Sequence, residues 1–224
     1  MGTEAIGESL EIRPGVYADY LAMARWHYRA GAPAAPVRIL RAACEGLRVG
    51  VLVVTMPTLM SRWRAVAWPE LGLVDSDARG RARTLNRRVR TLARLIVDPR
   101  FRGVGVARAL VAAYLNDPLT SHTEVITAMG RFSPVFERAG MRPVEVPPAP
   151  RDAALRRELA ALGVRPCTLI DLQHRPGRSP AVRAALARWA SRGQPTRKLL
   201  SDPDALAVAA AGALCAPPAV FVRP

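Results

Sequence analysis

Lysine is almost missing from this chain: Lys198 is the only one among 33 basic residues, so the net charge of +15 over 224 residues rests almost wholly on arginine. Aromatic residues make up only 5%, which offers few stacking platforms for single-stranded nucleic acid. Cysteine is scarce as well. Cys44, Cys167 and Cys215 lie far apart without a CxxC pair, which excludes a disulfide framework and a zinc ribbon and fits a reducing cytoplasm. Long apolar runs are missing too. Val49 to Met56 is only strand-length, and Ala205 to Val222 is broken by Pro217 and Pro218, so no membrane span is expected. The first fifteen residues hold three glutamates and no apolar run, so no secretory leader is expected, and Ile6 spoils a myristoylation pattern at Gly2. There is no GxxxxGK[ST] loop, no GxSxG elbow and no HExxH. His27, His122 and His174 share no ligand spacing with the cysteines, so no metal site is expected.

What is present is a globular composition, 50% hydrophobic, long enough for one core to bury roughly 70% of the unfolded chain's surface. The arginines accompany much alanine, proline, glycine and valine, a pattern of GC-rich coding, which weakens the high charge as a sign of nucleic-acid binding. Their distribution is uneven. Arg79 to Arg108 holds ten arginines against Asp98 alone, and part of that excess surrounds a glycine-rich turn, where a phosphate ligand would profit from it.

Hydrophobic periodicity orders the chain as mixed α/β. A strand Leu10 to Arg13 precedes a helix from Tyr17 to about Arg29; strands Val37 to Ala43 and Leu47 to Thr55 flank a turn at Glu45-Gly46. Pro57 to Val74, with Trp63 and Trp68, reads as an insertion that lines a substrate cleft or simply covers the sheet, the second being favoured. Asp77 caps a helix to about Val89, and Thr91 to Val97 is a buried strand. Next come a helix Val104 to Leu115, a strand His122 to Met129, a short helix capped by Ser133 and an extended Arg142 to Val146. The prolines near Pro147 mark a boundary between a domain 1-147 and a C-terminal helical extension 148-224. The extension is expected to hold helices Arg151 to Leu162, Pro180 to Ser191 and Pro203 to Ala211, with a last strand near 167-172.

The most informative stretch runs from Leu95 to Leu110, LIVDPRFRGVGVARAL, a strand passing through a glycine turn into a helix. Gly103 and Gly105 permit close approach of the backbone, and the first helical turn offers unpaired N–H donors and a favourable dipole to an anion such as a pyrophosphate. Gly103-x-Gly105-x-x-Arg108 lacks the third glycine of a dinucleotide fingerprint and stands five residues beyond the strand, which disfavours a Rossmann site. The segment resembles the acyl-CoA-binding motif of the GNAT N-acetyltransferase superfamily, whose (Gln/Arg)-x-x-Gly-x-(Gly/Ala) signature is matched by Arg102, Gly105 and Ala107. Val97-x-Pro99 before it and Phe136-Glu137-Arg138-Ala139-Gly140-Met141 after it also match that family's run. The likeness spans about Leu10 to Val146. Glu124 to Met141 is further similar to the acetyltransferase-like portion of proteins that join it to an ABC-type ATPase, which implies such an ATPase as a partner.

The resemblance implies a GNAT-like α/β fold and a direct transfer of acetyl from acetyl-CoA to an amine acceptor. It places Ile96 and Val97 against the pantetheine and thioester, and Arg102, Gly103, Val104, Gly105, Val106, Ala107 and Arg108 around the diphosphate. A base is needed. Ala93 and Arg94 stand where many relatives have a glutamate, leaving Glu124, His122 and the His27-Tyr28 pair as candidates, Glu124 first. The tyrosine that often protonates the leaving thiolate falls at Phe136, so a catalytically silent CoA-binding or scaffold module is the alternative reading, and an arginine-rich nucleic-acid-binding module a further one.

Overall fold

At the Glu45-Gly46 turn both residues take positive φ, 50° and 79°, the handedness that matches the twist of the strands it joins. This comes from a computed structural model of the chain, which describes residues 9–28, 31–61, 63–171 and 179–224. The turn links β2 (Pro36–Cys44) to β3 (Leu47–Thr55), with β1 (Leu10–Pro14) on the outer edge of β2. Four further strands, β4 (Val89–Val97), β5 (His122–Thr127), β6 (Arg142–Val144) and β7 (Ala219–Arg223), complete a 7-stranded sheet in the order β1-β2-β3-β4-β5-β7-β6. Every neighbouring pair is antiparallel except β4 and β5, which run parallel. The fold is therefore mixed α/β, as the sequence pattern indicates.

β3 is buried from Val49 onward because helices cover both of its faces. On one face α1 (Tyr17–Met23) lays Tyr20 and Met23 against Val51, Val53 and Ile96. Asp19 fastens this helix: its Oδ2 accepts from Val16 N (2.8 Å), and its Oδ1 accepts from Arg48 Nε on β3 (2.8 Å). The helix is shorter than the periodicity predicts. After Met23 it tightens into a 3-10 turn, Ala24–Trp26, which lets Ala24 and Trp26 reach the same cluster; the expected end at Arg29 lies outside the described residues.

On the opposite face α4 (Val106–Asn116) packs Val106, Leu110, Val111 and Tyr114 onto Leu52, Val54 and Leu92. Before it in the chain, α2 (Trp63–Ala67) and α3 (Ala78–Arg88) belong to the stretch between β3 and β4. Asp77 caps α3 as expected, its Oδ1 accepting from Gly80 N at 2.7 Å. Trp63, Trp68 and Leu71 do cover the sheet, meeting Leu85, Val89 and Val222. The short α5 (Val135–Arg138) begins from Pro134 with no cap from Ser133, and β5 stops at Thr127, whose hydroxyl accepts from Met129 N.

The chain divides into two compact units, Met1–Glu145 with Ala219–Pro224, and Val146–Pro218. The second has its own core: Leu155 and Leu159 of α6 (Pro150–Ala161), Leu186 and Trp189 of α7 (Pro180–Ser191), and Leu206 and Leu214 of α9 (Pro203–Cys215), with the short α8 (Gln194–Arg197) between the last two. Asp202 caps α9 at Ala205 N, 3.0 Å. The strand expected near 167-172 is instead a 3-10 turn, Pro166–Ile170, beginning at a proline that supplies no ladder donor, while Leu172 lies outside the described residues. The last strand is β7, a strand the sequence reading does not assign, with Val220 and Val222 buried in the cluster of Trp68 and Val89. The helical segment is thus inserted between β6 and β7 rather than appended.

Candidate functional site

The sheet opens at its one parallel step. β4 and β5 pair only at Val89↔His122, Arg90↔Thr123 and Thr91↔Glu124, and beyond Thr91 no described strand pairs with β4 on that side. A bulge lies just past the divergence. Opposite β3 the register jumps from Val54↔Leu92 to Val53↔Arg94, so Ala93 is the extra residue, and such bulges bend a strand away from its neighbour. The side chains of Ile96 and Val97 are buried in the clusters on the two faces of the sheet, so only their main chain remains to meet a ligand at this edge.

β4 leads through a short 3-10 turn into the glycine turn. Asp98 caps the 3-10 turn Pro99–Phe101 through Arg100 N (3.0 Å) and also takes the Arg100 guanidinium at 3.1 and 2.8 Å; these bonds lower its carboxyl to about 2. Gly103 and Gly105 have φ of 85° and 95°, a region that side chains rarely adopt, and a Cβ at either would meet nothing within 4 Å. The space above the turn is open. Gly105 caps α4 without a side-chain acceptor, and the helical ladder starts at Ala109 N bonding Gly105 O, so the N–H groups of Val106, Ala107 and Arg108 have no acceptor within the helix. Arg102 and Arg108 are exposed beside it, Arg102 Nε donating to Val97 O at 3.2 Å. Val104, Val106 and Ala107 turn inward and pin the helix start to the core. This set of open glycines, free N–H donors and arginines fits a diphosphate.

The expected acid–base residues fare differently. Glu124 is fully buried, and its carboxylate takes Arg64 Nε (2.8 Å) and Nη2 (2.7 Å) together with the Thr91 hydroxyl (2.6 Å). His122 is buried with both ring nitrogens engaged, one with the Ser121 hydroxyl (2.9 Å) and the other with Glu70 (3.1 Å), and the edge of Trp68 closes on it at 4.9 Å. Glu70's carboxyl is held below its ordinary range by a bond to its own backbone and then by His122. Tyr28 is the exposed member, 60% accessible and stacked on His27 at 4.7 Å. Phe136 is a core residue, packed on Phe221.

Two functional-looking arginines escape the sequence reading. Arg64, 1% exposed, lies in the insertion, and nothing local in the sequence marks it: the need for a cation appears only once Glu124 is seen to be buried in β5. Arg94 is the second, 7% exposed on β4 and noticed in the sequence only as a missing acid. Among the described residues no group of three or more potential ligands could hold a metal ion, and no helix is long and apolar enough to cross a membrane.

No family model matches the chain, and no curated protein matches it. Among solved structures it is similar to nourseothricin acetyltransferase, 17% identical, over 64% of this chain and 89% of that one, with a TM-score of 0.34. Overlap of that size carries no argument about activity.

Proposed function

We propose that the sheet-bearing unit is an acyl-CoA-dependent N-acyltransferase, with acetyl-CoA as donor and an amine as acceptor. One observation carries this reading: β4 leaves β5 after Thr91 and leads, through the Pro99–Phe101 turn, into an open, positive-φ glycine turn at a helix start with no side-chain cap. An extended amide arm can bond the free edge of β4 as an added strand would, while Gly103, Gly105 and the N–H groups of Val106 to Arg108 hold the diphosphate. Bound acetyl-CoA would supply a thioester activated towards direct attack by the amine. The chain's part is to hold donor and acceptor together and to accept the amine's proton. Glu124 and His122 have their polar atoms engaged and serve structure in this reading. Tyr28 with His27, at the turn that follows α1, passes the proton to solvent. Phe136 has no proton to give, so the departing thiolate takes one from water.

The test is calorimetric titration with acetyl-CoA of the wild type and of Gly105→Glu, whose carboxylate would enter the diphosphate space. The wild type should bind, and the folded variant should bind on the order of 100-fold more weakly, about 2.7 kcal/mol. No binding of acetyl-CoA or of longer acyl-CoAs by the wild type would end the proposal. The burial of Phe136 and the engagement of Glu124 favour one second reading, a module that binds CoA without turnover; it predicts acetyl-CoA binding with no release of CoA in the presence of any amine pool.

A further inference from the structure

The two buried arginines of the sheet-bearing unit are treated very differently. Arg64 has a carboxylate on two of its nitrogens and the carbonyl of Thr58 on the third. Arg94, almost as deeply buried, has no carboxylate within ion-pair distance among the described residues. Its Nη1 bonds the carbonyl of the preceding Ala93 at 2.9 Å, its Nη2 reaches Gly31 O at a long 3.4 Å, and its Nε, cut off from solvent, has no partner. A guanidinium does not lose its charge in proteins, and a buried charge without a counter-ion is costly enough to be rare.

Its position is specific. Arg94 follows the bulge at Ala93, three residues past the last β4–β5 pair, and points to the same face of β4 as Ile96, the face covered by α1 and the turn after it. Tyr20 of α1 donates to the same Gly31 carbonyl that Arg94 reaches, at 3.3 Å. Two further arginines meet the turn that follows α1: Arg25 stacks on Trp26, and Arg102 reaches the Trp26 carbonyl at 3.5 Å. A planar fork with a free Nε–H suits a bidentate oxyanion, which would replace the long contact to Gly31.

We propose that Arg94 binds an acidic group of the acceptor, a carboxylate or a phosphate, so that the acceptors are amines carrying an oxyanion rather than plain alkylamines. The acceptor role rests on the transferase reading; the anion site itself does not. The test tracks the melting temperature of the full chain, as wild type, Arg94→Gln and Arg94→Lys, during titration with malonate and separately with inorganic phosphate at constant ionic strength. At least one anion should raise the wild-type value saturably. Arg94→Gln should lose that response, and Arg94→Lys should keep it at about tenfold higher concentration, since it retains the charge without the fork. A response to malonate alone identifies a carboxylate acceptor, and one to phosphate alone a phosphorylated amine. Equal responses in wild type and Arg94→Gln, or no saturable response in the wild type, would overturn the site. Titrating acetyl-CoA into the same three proteins keeps the two readings apart: anion binding without acetyl-CoA binding overturns the transferase, and acetyl-CoA binding without an anion response overturns Arg94.

Discussion

A carboxylate inside a sheet demands a partner, and Glu124 meets that demand with Arg64. Both side chains are 1% exposed, so removing either leaves a buried charge, and Glu124→Gln should cost about 3–5 kcal/mol in urea unfolding. Replacing both, Arg64→Met with Glu124→Leu, should restore most of that loss, and a double-mutant cycle reads the coupling directly. The same variant decides catalysis, because folded Glu124→Gln that retains transfer removes Glu124 from the chemistry altogether. Asp98 gives a pH signature. Its carboxyl is lowered from 3.8 to about 2 by Arg100, so its stabilisation is fully present above the ordinary value and disappears as pH falls through about 2. The melting temperatures of wild type and Asp98→Asn should differ at neutral pH and converge in strong acid. Residues of this kind were only half legible in the sequence. The type and place of Glu124 were visible, but its occupation by Arg64, sixty residues upstream in an insertion without periodic signal, is a long-range fact that local pattern does not carry.

Elements were more legible where the chain marks its own ends. Leu47–Thr55 and Pro180–Ser191 have the limits that turn and proline signals give, and Asp77 and Asp202 cap as their positions require. The limits moved where packing overrode periodicity: the helix after Gly15 breaks early into a 3-10 turn, and the one after the glycines starts at Val106 rather than Val104. The glycine turn was readable because positive φ has a residue signature; the bulge at Ala93 was not, because it depends on register against β3. Gly50 is a tighter case. A Cβ there would stand 2.9 Å from Val106 Cγ1 and 3.0 Å from Leu110 Cδ1, so α4 lies on β3 at a distance only glycine permits. Gly50→Val should push the helix outward, costing about 1–3 kcal/mol by chemical denaturation and weakening acetyl-CoA binding, because the displaced element carries the diphosphate donors.

At the scale of the whole molecule the fold class was legible, but the order of its last parts was not. A helical run after a proline-rich boundary reads naturally as an appendage, and nothing local in Ala219–Arg223 says that it belongs in the sheet between β5 and β6. Val144↔Val220 is the last pair before the inserted unit, so the two ends of Val146–Pro218 leave and return side by side. A chain in which Asn-Gly replaces residues 146–218 should close as a two-residue hairpin and unfold in one cooperative transition, monitored by circular dichroism. Loss of folding would show that the insertion is needed for the sheet. The arrangement also sets a schedule for synthesis. β7 is the strand that completes β5 and β6, yet it follows the whole inserted unit in the chain, so a nascent chain on the ribosome carries an incomplete sheet until that unit has been made and β7 emerges. If the helical unit folds first, it draws the ends of that long loop together before β7 arrives and lowers the entropic cost of closure. Strand completion then becomes the late, slow step of folding, and loss of β7 would leave exposed edges on β5 and β6 prone to pairing with another chain.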